Sequence, residues 1–402
     1  MANPTLVTQV SNDPASLPAW LDQQELQSLL KQEMADFRSI QSIRGKWEMN
    51  LVQPTFSVQL QVECAGNRKR VVSYLVKSSE KTPSGRKFPI EGDFSVELQM
   101  YEDILPALED LYKDDGQAIK FTPPFLSTKQ GNNFHCLFLD YAQTRGYSVA
   151  NTLNGLERPA MEAVLSKLAA YHAATARYIQ TNSDKKRVLS KLVEGAAAAA
   201  AAAAAGELKS LLQLRFHESL RSHDAREYED KVKAFQKYVR GAIEHSDTRN
   251  SFNVILIGSC FPNNILNHTD AFGNVKDSLF VDFHAAKYGP AVYDLFSLLL
   301  TAPAKKCTRF DGFVKYYHDR LTANLTLLKY RGKQPTLTDL YLDLLNYGHW
   351  AFEVATEILP IVLSHFDSDD ADIVELVRSP LFSLQIRELL PWLENRGYFE
   401  EE

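Results

Sequence analysis

The stretch that decides the fold runs from Val254 to His284 and reads VILIGSCFPNNILNHTDAFGNVKDSLFVDFH. Two apolar runs with strand character, Ile265–Leu266 and Leu279–Val281, flank a turn containing Phe272-Gly273-Asn274. Paired as a hairpin about Gly273, they set Asn264 opposite Asp282, each nine residues from the turn centre. A carboxamide oxygen facing a carboxylate at the open end of a hairpin suits Mg²⁺, a hard cation that takes oxygen ligands and shares them with phosphates. The preceding apolar strand, Val254–Ile257, delivers the loop Gly258–Asn263 to the same end. That loop offers Ser259 and Cys260 and no carboxylate.

Outward from this hairpin, the chain divides by period. Leu26, Leu29, Leu30 and Met34 recur at helical spacing and predict an amphipathic helix over 23–36. From Gly45 the period is two: Phe56, Val58, Leu60, Val62 and Cys64 alternate with Ser57, Gln59, Gln61 and Glu63, a half-buried strand. Ala65-Gly66-Asn67-Arg68 supplies a turn, and Val71–Lys77 returns as the next strand. A polar loop follows over 78–92. Phe94–Leu111 reads as a helix that Pro106 ends or kinks, and 119–140 holds a further antiparallel pair. After Asp140 the pattern is mostly helical, with Met161, Val164, Leu165, Leu168 and Tyr171 on one face. Ala196–Ala205 reads as an exposed helical or disordered insert without chemistry. Long helices are expected at 291–303, 308–328, 336–362 and 371–395. The architecture implied is α+β: a small antiparallel-sheet lobe over 1–138, and a large mostly helical lobe over 139–402 that carries the 254–284 hairpin. Ligands favour clefts between such lobes.

Composition narrows the function classes. The 402 residues suit one large or two ordinary domains, and a 45% hydrophobic content supports a sizeable core. The net charge of −6 gives no basic footprint for nucleic acid or an anionic membrane. The N-terminus lacks a signal-peptide pattern, and no apolar run is long enough to span a bilayer. The four cysteines, Cys64, Cys136, Cys260 and Cys307, are scattered without metal-ligand spacing. Together these predict a reduced, cytoplasmic protein.

Seven further pieces occur in order. Lys77 ends the strand YLVK, and Glu97 lies in FSVELQMY. Leu139-Asp140-Tyr141 precedes Gly146-Tyr147. Leu168-Ala169-Ala170-Tyr171-His172-Ala173 lies on a helix. Asn263-Asn264-Ile265 and Asp282-Phe283-His284 flank the hairpin, and Tyr288-Gly289 with Asp294-Leu295 follows. In this series the chain resembles the ecdysteroid kinase-like (CHK kinase-like) family, relatives of choline kinases and aminoglycoside phosphotransferases with a protein-kinase-like fold. The resemblance runs from Trp20-Leu21 to the terminal LLPWLENRGY. It implies ATP and Mg²⁺ as cofactors: Lys77 on the ATP phosphates, Glu97 holding that lysine, and Asn264 and Asp282 as metal ligands. It also implies transfer of a phosphoryl group to an alcohol of a small molecule. Asp294, early in a helix, is expected to brace the catalytic loop by accepting its backbone N–H groups. Phosphoryl transfer leaves a protein mainly positioning and charge stabilisation, which explains these residue types.

Two departures weaken that implication. The family's catalytic loop reads His-Gly-Asp, four residues, then Asn. Here the histidine position is Ile257 and the base position is Ser259. Serine accepts a hydrogen bond but does not hold a proton, and general-base catalysis is worth about 10²–10⁴-fold, or roughly 3–5 kcal/mol of barrier. Secondly, the loop over the phosphates, Asn50–Ser57, has no glycine, and Pro54 removes a backbone donor. Nucleotide binding is therefore expected to be weakened.

Each feature also has a plain structural interpretation. Lys77 alone would be a solvated strand end, His172 a packed helix histidine, and His284 a hydrogen-bonded structural histidine. His268-Thr269-Asp270 repeats His-x-Asp on the turn side, where Asp bonds its own backbone. Cys260 lacks a visible activating partner. Tyr347, Trp350 and Phe352 suit either an acceptor pocket or core packing. The leading expectation is a catalytically impaired pseudokinase that binds nucleotide or a small hydrophobic ligand. The alternatives are an active ATP-dependent kinase of a steroid-like alcohol and a carrier of lipophilic ligands.

Overall fold

The computed structural model describes residues 17–18, 20–48, 55–79, 92–130, 135–150, 152–182, 196–242, 250–364 and 373–399. Most of the glycine-free loop, Asn50 to Pro54, lies outside the described residues, as do residues 80–91 of the polar loop. The chain forms two compact units, residues 1–85 with 123–146 and residues 86–122 with 147–402. Residues 86–122, inserted between strands of the first unit, thus belong to the second.

In the first unit, helix α1 (Gln23–Glu33) starts on an Asp22 side chain that accepts the Glu25 N–H. Strands β1 (Phe37–Glu48), β2 (Thr55–Cys64), β3 (Arg68–Ser78), β4 (Phe125–Gln130) and β5 (His135–Asp140) form one antiparallel sheet in the order β1-β2-β3-β5-β4. The period-two residues Phe56, Val58, Leu60, Val62 and Cys64 are all buried against Leu26, Leu29 and Leu30 of α1. Trp20 and Trp47 meet the Phe56 ring edge-on, with centroids 6.3 and 5.3 Å away. A buried Leu or Phe of this kind contributes about 1.5–3 kcal/mol. Strand β1 begins eight residues before the period-two signal at Gly45, because most of its residues are exposed or half-buried and carry little apolar pattern.

In the second unit, α2 (Phe94–Gln99) passes through a π-helical turn, Met100–Ile104, into α3 (Leu105–Asp114). Pro106 does not end the helix. It sits at the start of α3, just beyond the widened turn, so its missing N–H is accommodated there. Strand β6 (Tyr147–Val149) leads to the buried helix α4 (Arg158–Thr181), then to α5 (Ala196–Ser219) and α6 (Glu229–Ala242). The alanine tract is the helical beginning of α5. Strands β7 (Asn253–Leu256), β8 (Ile265–Thr269), β9 (Val275–Phe280) and β10 (Lys287–Pro290) form two small sheets, β6-β8-β9 and β10-β7. Helices α7 (Val292–Leu299) and α8 (Lys306–Leu327) follow, and further helices cover Leu337–Val362 and Ile373–Asn395 with short breaks. Tyr101, Phe121, Tyr171, Phe280 and Phe283 make a connected aromatic core around the hairpin. The sheet order of the first unit, and the helices and hairpin of the second, are those of a protein-kinase-like α+β fold. Among the described residues no helix is long and apolar enough to cross a membrane.

Candidate active site

The hairpin is offset by one residue from the register that a turn centred on Gly273 predicts. Asp270 and Asn274 close the turn, with the Asp270 N–H on the Asn274 carbonyl at 2.9 Å, which centres it on Phe272. A bulge between His268 and Thr269 then leaves Ile265 opposite Phe280. Asn264 therefore faces Val281, whose N–H donates to the Asn264 carbonyl at 3.0 Å. A one-residue offset sends a strand's side chains to the opposite face. Asp282 restores the meeting by leaving strand geometry: its φ is +72°, a left-handed conformation that costs a non-glycine residue about 1–2 kcal/mol. Its carboxylate Oδ2 lies 3.4 Å from the Asn264 Nδ2.

The loop after β7 is held from behind. The Asp294 carboxylate, in the first turn of α7, accepts the Ile257 N–H at 2.7 Å on Oδ2 and the Gly258 N–H at 3.0 Å on Oδ1. His172 Nε2 lies 3.2 Å from Oδ2, and His172 Nδ1 lies 2.6 Å from the Tyr317 hydroxyl. The consistent arrangement has Nε2–H donating to the carboxylate and the tyrosine O–H donating to Nδ1. All three side chains are buried, and the carboxylate is met by two backbone N–H groups and the imidazole. Gly258 itself has φ +78°, and a Cβ there would fall 2.0 Å from the Ala285 carbonyl oxygen. Only glycine fits.

Ser259, at the base position, is fully buried, and its hydroxyl donates to the Asp282 main-chain carbonyl at 2.5 Å. The Asn264 Nδ2 donates to the Ser259 carbonyl at 3.0 Å. His284 Nδ1 lies 2.6 Å from Asp282 Oδ1. Gly92 packs against the His284 ring: a Cβ on Gly92 would fall 1.8 Å from His284 Cδ2. The Asp93 N–H closes the same corner on the His284 carbonyl at 2.8 Å. Glu97 is buried on α2, and its Oε1 accepts the Phe283 N–H at 3.1 Å. Lys77 lies in the first unit, buried on β3 opposite Leu137 of β5.

The structure thus brings Ile257, Ser259, Asn264, Asp282 and Asp294 together within the second unit. Gly92 and Tyr317 were not singled out from the sequence. Gly92 sits in a polar loop where a glycine draws no notice, and Tyr317 lies 145 residues from the histidine it bonds. Cys260 is buried, and burial pushes its thiol well above its ordinary range, which keeps it protonated and unreactive. Asp270 accepts the Phe272 and Asn274 N–H groups, and these bonds with Lys276 hold its carboxyl well below the usual range. It is a turn anchor. Of the aromatic candidates, Phe352 stacks on Phe399 with centroids 4.9 Å apart, Trp350 donates its Nε1–H to the Tyr293 carbonyl at 3.1 Å, and Tyr347 packs on Tyr293.

The donor set can be tested for a divalent cation. Mg²⁺ requires converging oxygen lone pairs in octahedral geometry. Asp282 meets nitrogens at both oxygens, His284 Nδ1 on Oδ1 and Asn264 Nδ2 on Oδ2. The orientation of the Asn264 amide is fixed by the Ser259 carbonyl, since turning it over would set three oxygens face to face. In this arrangement the pair does not fit Mg²⁺. Among the described residues no group of three His, Cys, Asp or Glu side chains converges to hold a metal ion.

The sequence model of the ecdysteroid kinase-like family matches residues 54–330. No curated protein matches the chain significantly. Among solved structures, the GDP and kanamycin complex of APH(2")-IIia is similar at 15% identity with a TM-score of 0.37, over 85% of this chain and 98% of that one. Amicoumacin kinase hAmiN in complex with AMP-PNP, Ca²⁺ and Ami is similar at 10% identity with a TM-score of 0.35, over 94% of this chain and 96% of that one. The family match covers well over half of the 402 residues and contains Lys77, Glu97, the loop at 257–264, Asp282 and Asp294, and the chain belongs to the ecdysteroid kinase-like family.

Proposed function

We propose that this kinase-like protein is a pseudokinase that acts by binding a small molecule, steroid-like or otherwise hydrophobic, rather than by turning over ATP. The observation that carries the proposal is the commitment of Ser259. The residue at the base position is fully buried and spends its hydroxyl proton on the Asp282 carbonyl, in a loop pinned by Asp294. A base must point at the proton it takes and hold it. Ser259 does neither, and Ile257 beside it is apolar. The missing base removes roughly 3–5 kcal/mol of barrier lowering. The nucleotide roles implied for Lys77 and Glu97, and a cytoplasmic location, belong to the same proposal.

The test is incubation of the purified protein with Mg-ATP and a panel of hydroxylated steroids and choline-like amines. The expected result is no phosphorylated product. Robust wild-type turnover that Asp282→Ala abolishes would overturn the proposal and establish an active kinase. Thermal stabilisation by a steroid with no stabilisation by ATP would identify a carrier.

A further inference from the structure

His223 takes no part in the site described above. It ends the turn Leu220–His223 that follows α5, and it is buried. Two helices near the C-terminus meet it, Ile373–Arg378 and Pro380–Asn395. His223 Nε2 lies 2.6 Å from the carbonyl oxygen of Val377 on the first, and the ring meets Phe382 on the second edge-on, with centroids 5.6 Å apart. A carbonyl only accepts, so Nε2 carries the proton. In the neutral ring Nδ1 is then a bare lone pair. That atom is buried and has no hydrogen-bond partner among the described residues.

The charges around the ring oppose a second proton. Arg387, on the helix Pro380–Asn395, donates its Nε–H to the His223 carbonyl at 2.9 Å, and Arg378 ends the helix Ile373–Arg378. Burial first, and then these two guanidiniums, hold the imidazole pKa below its ordinary 6.5, against the Val377 bond, which favours the charged form. The neighbouring charges do not compensate. The Asp224 side chain is 85% exposed and reaches out to Arg387 at 3.4 Å. Arg221 pairs with Glu229, and His217 of α5 turns to the Glu229 carbonyl. Arg226, Glu227 and Glu375 are exposed.

We infer that His223 is an acid-sensitive latch: with Nδ1 bare it holds the helix Ile373–Arg378 on the turn after α5, and a proton on Nδ1, buried without an acceptor beside two guanidiniums, releases that helix. Once the helix lifts, the ring reaches water and both N–H groups find partners there. The linkage has one sign. The open form titrates at the ordinary value and the closed form below it, so the latch holds fully above about pH 6.5 and weakens as pH falls beneath it. Opening uncovers Val377, which is fully buried while the latch is closed. The latch is independent of whether the protein turns over ATP, since none of its residues belongs to the kinase-like site.

The test is native-state hydrogen exchange on the full chain between about pH 7.5 and 5.5, with protection corrected for the intrinsic pH dependence of exchange. Protection of the Val377 and Arg378 amides should fall several-fold, up to about tenfold, over this range, while that of the α4 amides does not. Protection at Val377 and Arg378 that stays constant with pH would overturn the inference. His223→Gln keeps an N–H donor for the Val377 carbonyl and takes no second proton, so its protection should be flat with pH. A fall equal to that of wild type would place the titrating group elsewhere and reject His223 as the latch. A further measurement needs no variant. Long-range ¹H–¹⁵N spectra of wild type at pH 6.5, where an ordinary histidine is half protonated, should show His223 as the neutral Nε2–H tautomer. A half-protonated ring at that pH, with Val377 and Arg378 still protected, would show that the closed form accepts the proton, and would likewise overturn the inference.

Discussion

The Ser259 hydroxyl donates to the Asp282 main-chain carbonyl at 2.5 Å, joining the loop after β7 to the segment after β9. It is a stitch between two backbone segments, and the carbonyl it satisfies belongs to a residue in a left-handed conformation. Ser259→Ala leaves that carbonyl without this donor in a buried setting, which costs about 1–3 kcal/mol. Urea unfolding at neutral pH should show the loss as a lower midpoint with an unchanged slope. A change within error of zero would mean that the hydroxyl is not a structural donor.

Asp294 gives a second prediction, because one carboxylate serves two backbone donors and a histidine. Asn has the same shape but only one acceptor oxygen, so Asp294→Asn must turn an NH₂ group toward an N–H. The unsatisfied donor costs about 1–3 kcal/mol. The damage should be local as well as global. Native-state hydrogen exchange at the Ile257 and Gly258 amides should accelerate more than exchange at the amides of β8. Uniform acceleration would mean that Asp294 supports the unit without specifically holding the loop.

Gly258 and Gly273 make a matched pair for a third prediction. Both have positive φ, +78° and +83°. An added Cβ at Gly273 meets nothing within 4 Å, so Gly273→Ala should cost only the conformational term of about 1–2 kcal/mol. At Gly258 the same methyl would collide with the backbone oxygen of Ala285. The collision adds about 1–3 kcal/mol, so Gly258→Ala should be more destabilising than Gly273→Ala by that amount. Equal losses in thermal unfolding of the two variants would show that the loop yields to make room.

Much of the fold was legible because its signals are periodic. The alternation from Phe56 to Cys64 and the helical stripe from Met161 to Tyr171 each encode a buried face, and each is buried in the structure. Strand β1 was legible only from Gly45 onward, since its earlier residues face solvent or are half-covered. At the site, spacing could name Asn264, Asp282 and Ser259 as neighbours of one hairpin, but it could not supply directions. The register depends on where the turn closes and on a bulge, neither of which alters the apolar pattern. The donor direction of Ser259 and the His284 contact arise from the φ of a single residue, Asp282, whose identity gives no hint of a left-handed backbone. His172 and Tyr317 meet only because α4 packs on α8, a tertiary fact with no local signature.

Lys306 provides the pH prediction. It opens α8, is almost fully buried, and donates to the Pro303 carbonyl at 3.0 Å. Burial depresses its pKa from the ordinary 10.5 to about 8, because removing the ammonium from water penalises the charged form. Between those two values the unfolded chain holds a proton that the folded chain releases, so stability rises as pH climbs from about 8 to 10.5. Below pH 8 both states are charged and the whole penalty, about 3 kcal/mol, is carried by the native protein. Lys306→Met removes that penalty and loses one hydrogen bond worth about 1 kcal/mol. The variant should therefore be more stable than wild type by about 2 kcal/mol at pH 7. Its advantage should vanish near pH 10, where the remaining penalty is only about 1 kcal/mol. Cys307 alongside is pushed up to about 11 and so stays largely protonated across this window. Paired urea titrations at the two pH values check the prediction, and an advantage that stayed constant with pH would show that folding does not depress the Lys306 pKa.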